Sequence, residues 1–379
     1  MLKKTINIAY VLLDFKLSGV PEHILALLKK MDREKYHPCI FVIRERGELA
    51  EEAEALGCEV LVLNGVKSKR FDFVALFKLW KLFRKRKIDI VHAQNHYYAS
   101  RYSHIAALFA GVPVIITSVH DTIGKKRLKK NLINKIFSLF TDRVIAVSEA
   151  VKEDICNYDR IHPDKIDIIP YGIDVDRFII NRDKGEIRKE LGVPVEALIV
   201  GMTGRLAANK RHDILIQAMK KVIEKIPSAY LMIVGGGKTE EELKQMVEEL
   251  RIKDHVLFTG VRRDIPLLLN AMDIFAMPAE RDSFPIVLLE AGASALPSVG
   301  VRDGGIPEAI IEGKTGLLVS KDNAEGFADA LIDLMENKEK AVAMGEKGRK
   351  NIQSKYTLEH QVRNIQGLYE SLLQAKGIL

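Results

Sequence analysis

Two short stretches of this 379-residue chain hold the side chains best suited to chemistry. The first, Gly204-Arg205-Leu206-Ala207-Ala208-Asn209-Lys210, sets two fixed cations between a strand-like apolar run, Leu198 to Met202, and a helical run, His212 to Val222. Cations at the start of a helix oppose its macrodipole, so a bound anion is a better reason for them than local stability. The second stretch, Asp282-Ser283-Phe284-Pro285-Ile286-Val287-Leu288-Leu289-Glu290, places two carboxylates around a small-residue turn and the start of another helix. Glu290 lies in an apolar run, where a carboxylate is costly without a partner. Cations and helix N-termini suit a diphosphate. Carboxylates repel phosphate but accept hydrogen bonds from hydroxyls. A site with both fits a sugar nucleotide.

Those stretches need a scaffold that presents strand ends and helix starts together. In the first half, strand patterns occur at Ile6–Leu12, His37–Ile43, Glu59–Leu63, Ile88–His92, Val114–Ser118, Arg143–Val147 and Ile166–Ile169. Helical patterns lie between them, for instance Pro21–Met31, Leu49–Leu56 and Asp72–Arg86. The alternation restarts at Leu198–Met202 and continues through Tyr230–Val234, His255–Thr259, Ile274–Met277, Ser298–Val299 and Gly316–Val319. Strand and helix alternating twice over imply an α/β protein of two doubly wound, mostly parallel sheets. The break falls near Pro170-Tyr171-Gly172-Ile173-Asp174. We therefore expect domains at 1–172 and 173–356, with a last helix near Leu358 to Gln374 returning to the first within a 357–379 segment. Ligands of such folds bind outside the strand C-termini, in a deep cleft where two sheets face each other.

Composition narrows the class. With 47% hydrophobic and 29% charged residues the chain reads as an ordinary globular protein. Three cysteines without a CxxC pair argue against a disulfide framework and for a reducing compartment. The expected location is cytoplasmic, because neither a signal peptide nor a spanning run is visible. The net charge of +7 is uneven: residues 1–180 carry +8 and residues 181–379 carry −1. The excess gathers at Arg84-Lys85-Arg86-Lys87 and at Lys125, Lys126, Arg127, Lys129, Lys130 and Lys135. Solvated helix faces account for it, as would attraction to an anionic membrane surface, which would make the protein peripheral on the inner face of the plasma membrane. In the second reading Leu128, Leu132, Ile133, Ile136, Phe137 and Phe140 recur at helical spacing between cations, although the same residues could face a core. No nucleic-acid motif accompanies the charge, so no nucleic-acid partner is expected.

The motifs in order resemble the retaining GT-B glycosyltransferases of family four. Those motifs are Ser18-Gly19, Val144-Ile145-Ala146-Val147-Ser148, Ile169-Pro170-Tyr171-Gly172-Ile173-Asp174, Gly204-Arg205-Leu206 with Lys210, Val234-Gly235-Gly236-Gly237, Leu289-Glu290-Ala291, and Gly304-Gly305-Ile306-Pro307-Glu308. The resemblance implies two Rossmann-like domains and transfer of a hexose or N-acetylhexosamine from a nucleotide diphosphate, a UDP-sugar first among the candidates, to an acceptor hydroxyl. Polysaccharide or glycolipid synthesis is the implied setting. Arg205 and Lys210 are assigned to the donor diphosphate and Glu290, second acid of the E-x7-E pattern, to the ribose. Asp282 stands where the family has glutamate, with Glu280 as the off-register alternative. Asp282 and His120 are implied to orient the transferred sugar. Gly19 is implied to admit a backbone amide to the phosphate. Gly204, Ser283, Phe284, Pro285 and Ile286 are implied to line the donor, with the base near Val261 and Arg262. Asn95, His96, Tyr97 and Arg101 are acceptor-side candidates.

Other motifs point away from metals and other cofactors. Asp174-Val175-Asp176 has DxD spacing but follows a hinge-like turn, where it reads as turn and cap chemistry. Gly237-Lys238-Thr239 and Gly313-Lys314-Thr315 lack the earlier glycine of a phosphate loop, and no GxGxxG or HExxH occurs. Neither a metal nor another cofactor is expected. Two other readings stay open: an epimerase of the same fold, and a silent scaffold of that fold, which aspartate at position 282 would favour.

Overall fold

The computed structural model describes residues 5–63, 72–94, 98–121 and 128–379. It divides into two compact units, Met1–Tyr171 with Leu358–Leu379, and Gly172–Thr357.

Among its described residues the first unit holds seven parallel strands: β1 (Ile6–Asp14), β2 (Tyr36–Glu45), β3 (Val60–Val62), β4 (Ile90–Gln94), β5 (Val114–Val119), β6 (Arg143–Ala146) and β7 (Ile166–Ile168). Their order is β3-β2-β1-β4-β5-β6-β7, so the chain reverses direction across the sheet between β1 and β4. β4 and β5 are buried on both faces and consist largely of Val, Ile and Ala, as central parallel strands require. One face of the sheet packs on the helices Gly19–Lys30 and Leu358–Ala375 through Ile24, Leu28, Val362, Ile365 and Tyr369. The opposite face packs on Phe73–Lys85 and on Tyr98–Ala110 through Leu79, Phe83, Tyr102 and Ala106. Asp72 caps the first of these, accepting from the Val74 and Ala75 amides at 2.9 and 3.1 Å.

The second unit holds six more: β8 (Leu198–Thr203), β9 (Ala229–Val234), β10 (Val256–Gly260), β11 (Ile274–Met277), β12 (Ser298–Val301) and β13 (Gly316–Val319). All neighbours are parallel, in the order β10-β9-β8-β11-β12-β13, with the reversal between β8 and β11. A buried anchor holds Lys184–Glu190 to this sheet: Arg188 donates to Asp273 Oδ2 at 2.6 Å and to the Ala271 carbonyl at 3.0 Å.

Two expectations need correction. Asp174 precedes a 3-10 turn, Val175–Phe178, but its side chain makes no cap hydrogen bond. On the helix Leu128–Ser138 and the turn after it, the alternative that the apolar residues face a core does not hold for Leu132, Ile136 and Phe140, which are exposed.

Candidate functional site

In an open α/β sheet the two loops at a reversal diverge and leave room for a ligand. In the second unit those loops follow β8 and β11, and they carry Gly204 to Lys210 and Glu280 to Phe284. Close backbone packing fixes both. The Gly204 amide donates to the Val234 carbonyl at 2.9 Å, and the Leu206 amide to the Gly236 carbonyl at 3.0 Å. Gly235 has φ +139°, and a Cβ there would stand 1.9 Å from the Gly204 oxygen. On the other loop the Gly305 amide donates to the Asp282 carbonyl at 2.7 Å. A Cβ on Gly305 would meet the Ser283 oxygen at 2.0 Å. The glycines after β9 and β12 therefore let backbone reach the site loops.

The two loops are also joined to each other. The Glu280 amide donates to the Asn209 carbonyl at 2.9 Å, and Lys210 pairs with Asp282. Arg211, in the left-handed region at φ 51°, pairs with Glu280, Asp213 and Asp322, while Lys321 reaches Glu280 at 3.1 Å. Glu280, the alternative to Asp282, is thus engaged with Arg211 and Lys321. Arg205 is exposed and has no ion-pair partner among the described residues. One cation is thus held by a carboxylate while the other stands open to an incoming anion.

Glu290 lies half-buried on the helix Ile286–Ala293, whose first turn follows Ser283, Phe284 and Pro285. The Phe284 ring packs on Tyr356 with centroids 5.5 Å apart, and the Tyr356 hydroxyl donates to the Glu308 carbonyl at 3.3 Å. Val261, just past β10, is 80% exposed and would lie 3.1 Å from a Cβ on Gly236. Arg262 beside it is engaged by Asp264.

Gly19 and His120 belong to the first unit. Gly19 begins the helix Gly19–Lys30 behind Ser18, and among the described residues a Cβ there would meet nothing within 4 Å. Packing among the described residues gives no reason for glycine at that position. Gly19→Ala should therefore leave the melting temperature unchanged, whereas Gly235→Ala should cost about 1–3 kcal/mol. Calorimetry of the two variants checks the contrast, and equal destabilisation would contradict it.

His120 follows β5 directly and belongs to a buried polar chain that the sequence patterns did not single out. Its Nδ1 lies 2.6 Å from the Tyr171 hydroxyl and its Nε2 2.9 Å from Gln94 Oε1. With a carboxamide oxygen as partner, Nε2 carries the proton and Nδ1 accepts from Tyr171. Burial holds the imidazole down to about 4, so it is neutral at pH 7. Tyr171 also meets His23 edge-on at 4.5 Å, and Gln361 Nε2 lies 2.8 Å from His23 Nε2. Polar residues inside a fully buried strand, as Gln94 and His92 are in β4, were the available signal. Arg101 lies half-buried on Tyr98–Ala110. Asn95, His96 and Tyr97 lie outside the described residues, as do Lys125, Lys126 and Arg127. No group of three or more potential metal ligands occurs among the described residues.

Residues 17–177 match the family described as Glycosyltransferase Family 4, and residues 183–351 match Glycosyl transferases group 1. An Escherichia coli UDP-Gal:alpha-D-GlcNAc-diphosphoundecaprenol alpha-1,3-galactosyltransferase is 29% identical over 98% of each chain. A Bacillus anthracis N-acetyl-alpha-D-glucosaminyl L-malate synthase is 29% identical over 80% of each. Among solved structures, Anabaena HepE in complex with UDP superposes with a TM-score of 0.85 at 21% identity, covering 97% of this chain and 100% of that one. A glycosyltransferase from Rickettsia africae gives a TM-score of 0.85 at 21% identity, covering 97% and 99%.

Proposed function

Because the chain belongs to the family four and group 1 glycosyltransferases and has their GT-B fold, we propose that it moves a hexose or N-acetylhexosamine from UDP to an acceptor hydroxyl with retention at the anomeric carbon. The observation that carries this reading is the Lys210–Asp282 pair, which joins the two loops at the strand reversal of the second unit, with Arg205 exposed on the first of those loops. Departure of a nucleoside diphosphate develops negative charge on oxygen, and donors already in place stabilise it without reorganisation. Arg205 takes the diphosphate directly. Lys210 exchanges Asp282 for phosphate, which frees the carboxylate for a sugar hydroxyl. Glu290 takes the ribose, Val261 and Arg262 flank the base, and the Ser283 to Ile286 turn lines the phosphates and sugar.

Retention follows if the acceptor oxygen attacks the face that the diphosphate leaves. The bond from the anomeric carbon to the phosphate oxygen breaks, the bond to the acceptor oxygen forms, and the departing phosphate takes the acceptor's proton. This route assigns no role to a metal or other cofactor. Neutral His120 offers its Nε2–H to the sugar once Gln94 yields it, and Gly19 admits the phosphate to the helix start behind it.

UDP is favoured because the Escherichia coli relative is named for a UDP-galactose donor and HepE was solved with UDP. The same relative's acceptor is diphosphoundecaprenol-linked, which favours a lipid-linked glycan acceptor and glycolipid or polysaccharide synthesis. Thermal shift with UDP-, GDP- and ADP-sugars tests the donor. A ligand at a hundred times its Kd should add about 2.7 kcal/mol. The UDP-sugars should give the largest rise, with EDTA present or absent. No rise with any nucleotide sugar would overturn the reading.

A further inference from the structure

The outer helix layer of the first unit presents apolar residues to solvent in a pattern that folding in water does not explain. On Phe73–Lys85 the outward residues are Phe73, Val74 and Phe77, the last 59% exposed, followed by Lys78, Lys81, Arg84 and Lys85. On the adjoining Tyr98–Ala110, Phe109 is 77% exposed and Leu108 stands beside it. Trp80 ties the two helices. Its Nε1 donates to the Phe109 carbonyl at 3.1 Å, its ring lies 5.2 Å from that of Phe77, and Arg84 sits over it at 5.6 Å.

The helix Leu128–Ser138, next in the layer through the His104–Phe137 contact, turns polar residues inward beside half-buried Ile133 and Phe137 and leaves other apolar residues in solvent. It buries Asn131, Asn134 and Ser138, and Asn134 donates to Asp159 at 3.1 Å. It exposes Leu132, Lys135 and Ile136, with Leu139 and Phe140 exposed just beyond it. A soluble helix does the reverse.

We propose that this layer is a membrane-docking face, whose exposed aromatics enter the interfacial region of a bilayer while the adjacent cations meet anionic headgroups. Charge decides between a bilayer and a second copy of the chain. None of the three helices contains an aspartate or glutamate. A twofold interface would press the same patch against itself, cation against cation. An anionic surface instead complements the cations, and apolar and aromatic residues beside them are what an interfacial helix requires. Among the described residues no helix is long and apolar enough to cross a membrane, so contact through this face would be peripheral. The proposal does not depend on the donor chemistry.

Trp80 is the only tryptophan of the chain and sits within the face, so its emission reports directly. The full chain is titrated with vesicles of phosphatidylglycerol and phosphatidylcholine, and with vesicles of phosphatidylcholine alone. Emission should shift to shorter wavelength and the protein should co-sediment with the anionic vesicles only. Phe77→Ser with Phe109→Ser should lower the bound fraction by about tenfold or more. Lys81→Gln with Arg84→Gln and Lys85→Gln should weaken binding and flatten its salt dependence. Both variants should keep the nucleotide-sugar thermal shift, which separates failure here from failure of the donor assignment. No shift and no co-sedimentation, or undiminished binding in both variants, would overturn the proposal. So would a vesicle-independent dimer that the aromatic variant dissolves.

Discussion

Arg205→Ala is expected to lower turnover by about 10²–10³-fold, as loss of one preorganised donor to a developing oxyanion does elsewhere. The variant should melt at the parental temperature, because the side chain is exposed and has no ion-pair partner among the described residues. That separation of activity from stability distinguishes Arg205 from its neighbours. Lys210 is paired with Asp282, and Arg211 with three carboxylates, so removing either leaves acids unpaired. Steady-state kinetics with the best donor, beside calorimetry, checks the expectation. Near-parental turnover, or a large drop in melting temperature, would remove Arg205 from the proposed role.

The second large effect is acid lability. Burial holds His23 and His92 down to about 3, and His104, His120 and His212 down to about 4. Each imidazole takes part in a packed or hydrogen-bonded arrangement as the neutral form, for example His92 between Tyr369 and Ser118 at 2.6 and 2.7 Å. As pH falls below 6.5 the unfolded chain takes up protons that the folded chain refuses until about 4. Stability is therefore full above 6.5 and declines through that window, by about 1.4 kcal/mol per pH unit for each histidine in it. Asp159, raised to about 7 by burial, and Asp167, also raised by burial, work in the opposite sense, but they are two groups against five. Chemical denaturation from pH 7 to pH 4 should show a steep fall, with the first unit, which holds four of the five, failing first. A flat profile would mean these histidines are solvated.

The alternation of strand and helix was legible because central parallel strands are rich in aliphatic, β-branched residues, and β5 and β8 stand out against amphipathic helices. Strand ends were less so: β1 runs on to Asp14 and β12 to Val301, since polar and small residues at a strand's end do not interrupt its pairing. On the candidate site, the cations and acids could be named because fixed charges next to a helix start are conspicuous. The Lys210–Asp282 pair could not, because it joins loops 72 residues apart that only the β8–β11 adjacency brings together. The same holds for Tyr171, Gln94 and Gln361 around His23 and His120, which come from a hinge, a strand and the final helix. The outer helix layer shows the limit of periodicity from the other side. Its spacing identified a helix at Leu128, but which stripe faces inward was decided by the Asn134–Asp159 contact, which has no local signature.

The central claim is that Arg205 and Lys210 exist to hold a diphosphate. Calorimetric titration with UDP and with UMP, on the parent and on Arg205→Ala, tests it most directly. UDP should bind the parent at least about tenfold more tightly than UMP, from one or more charge-assisted contacts to the second phosphate, and the variant should lose most of that difference. Equal affinity for UDP and UMP in the parent, or an unchanged difference in Arg205→Ala, would contradict it.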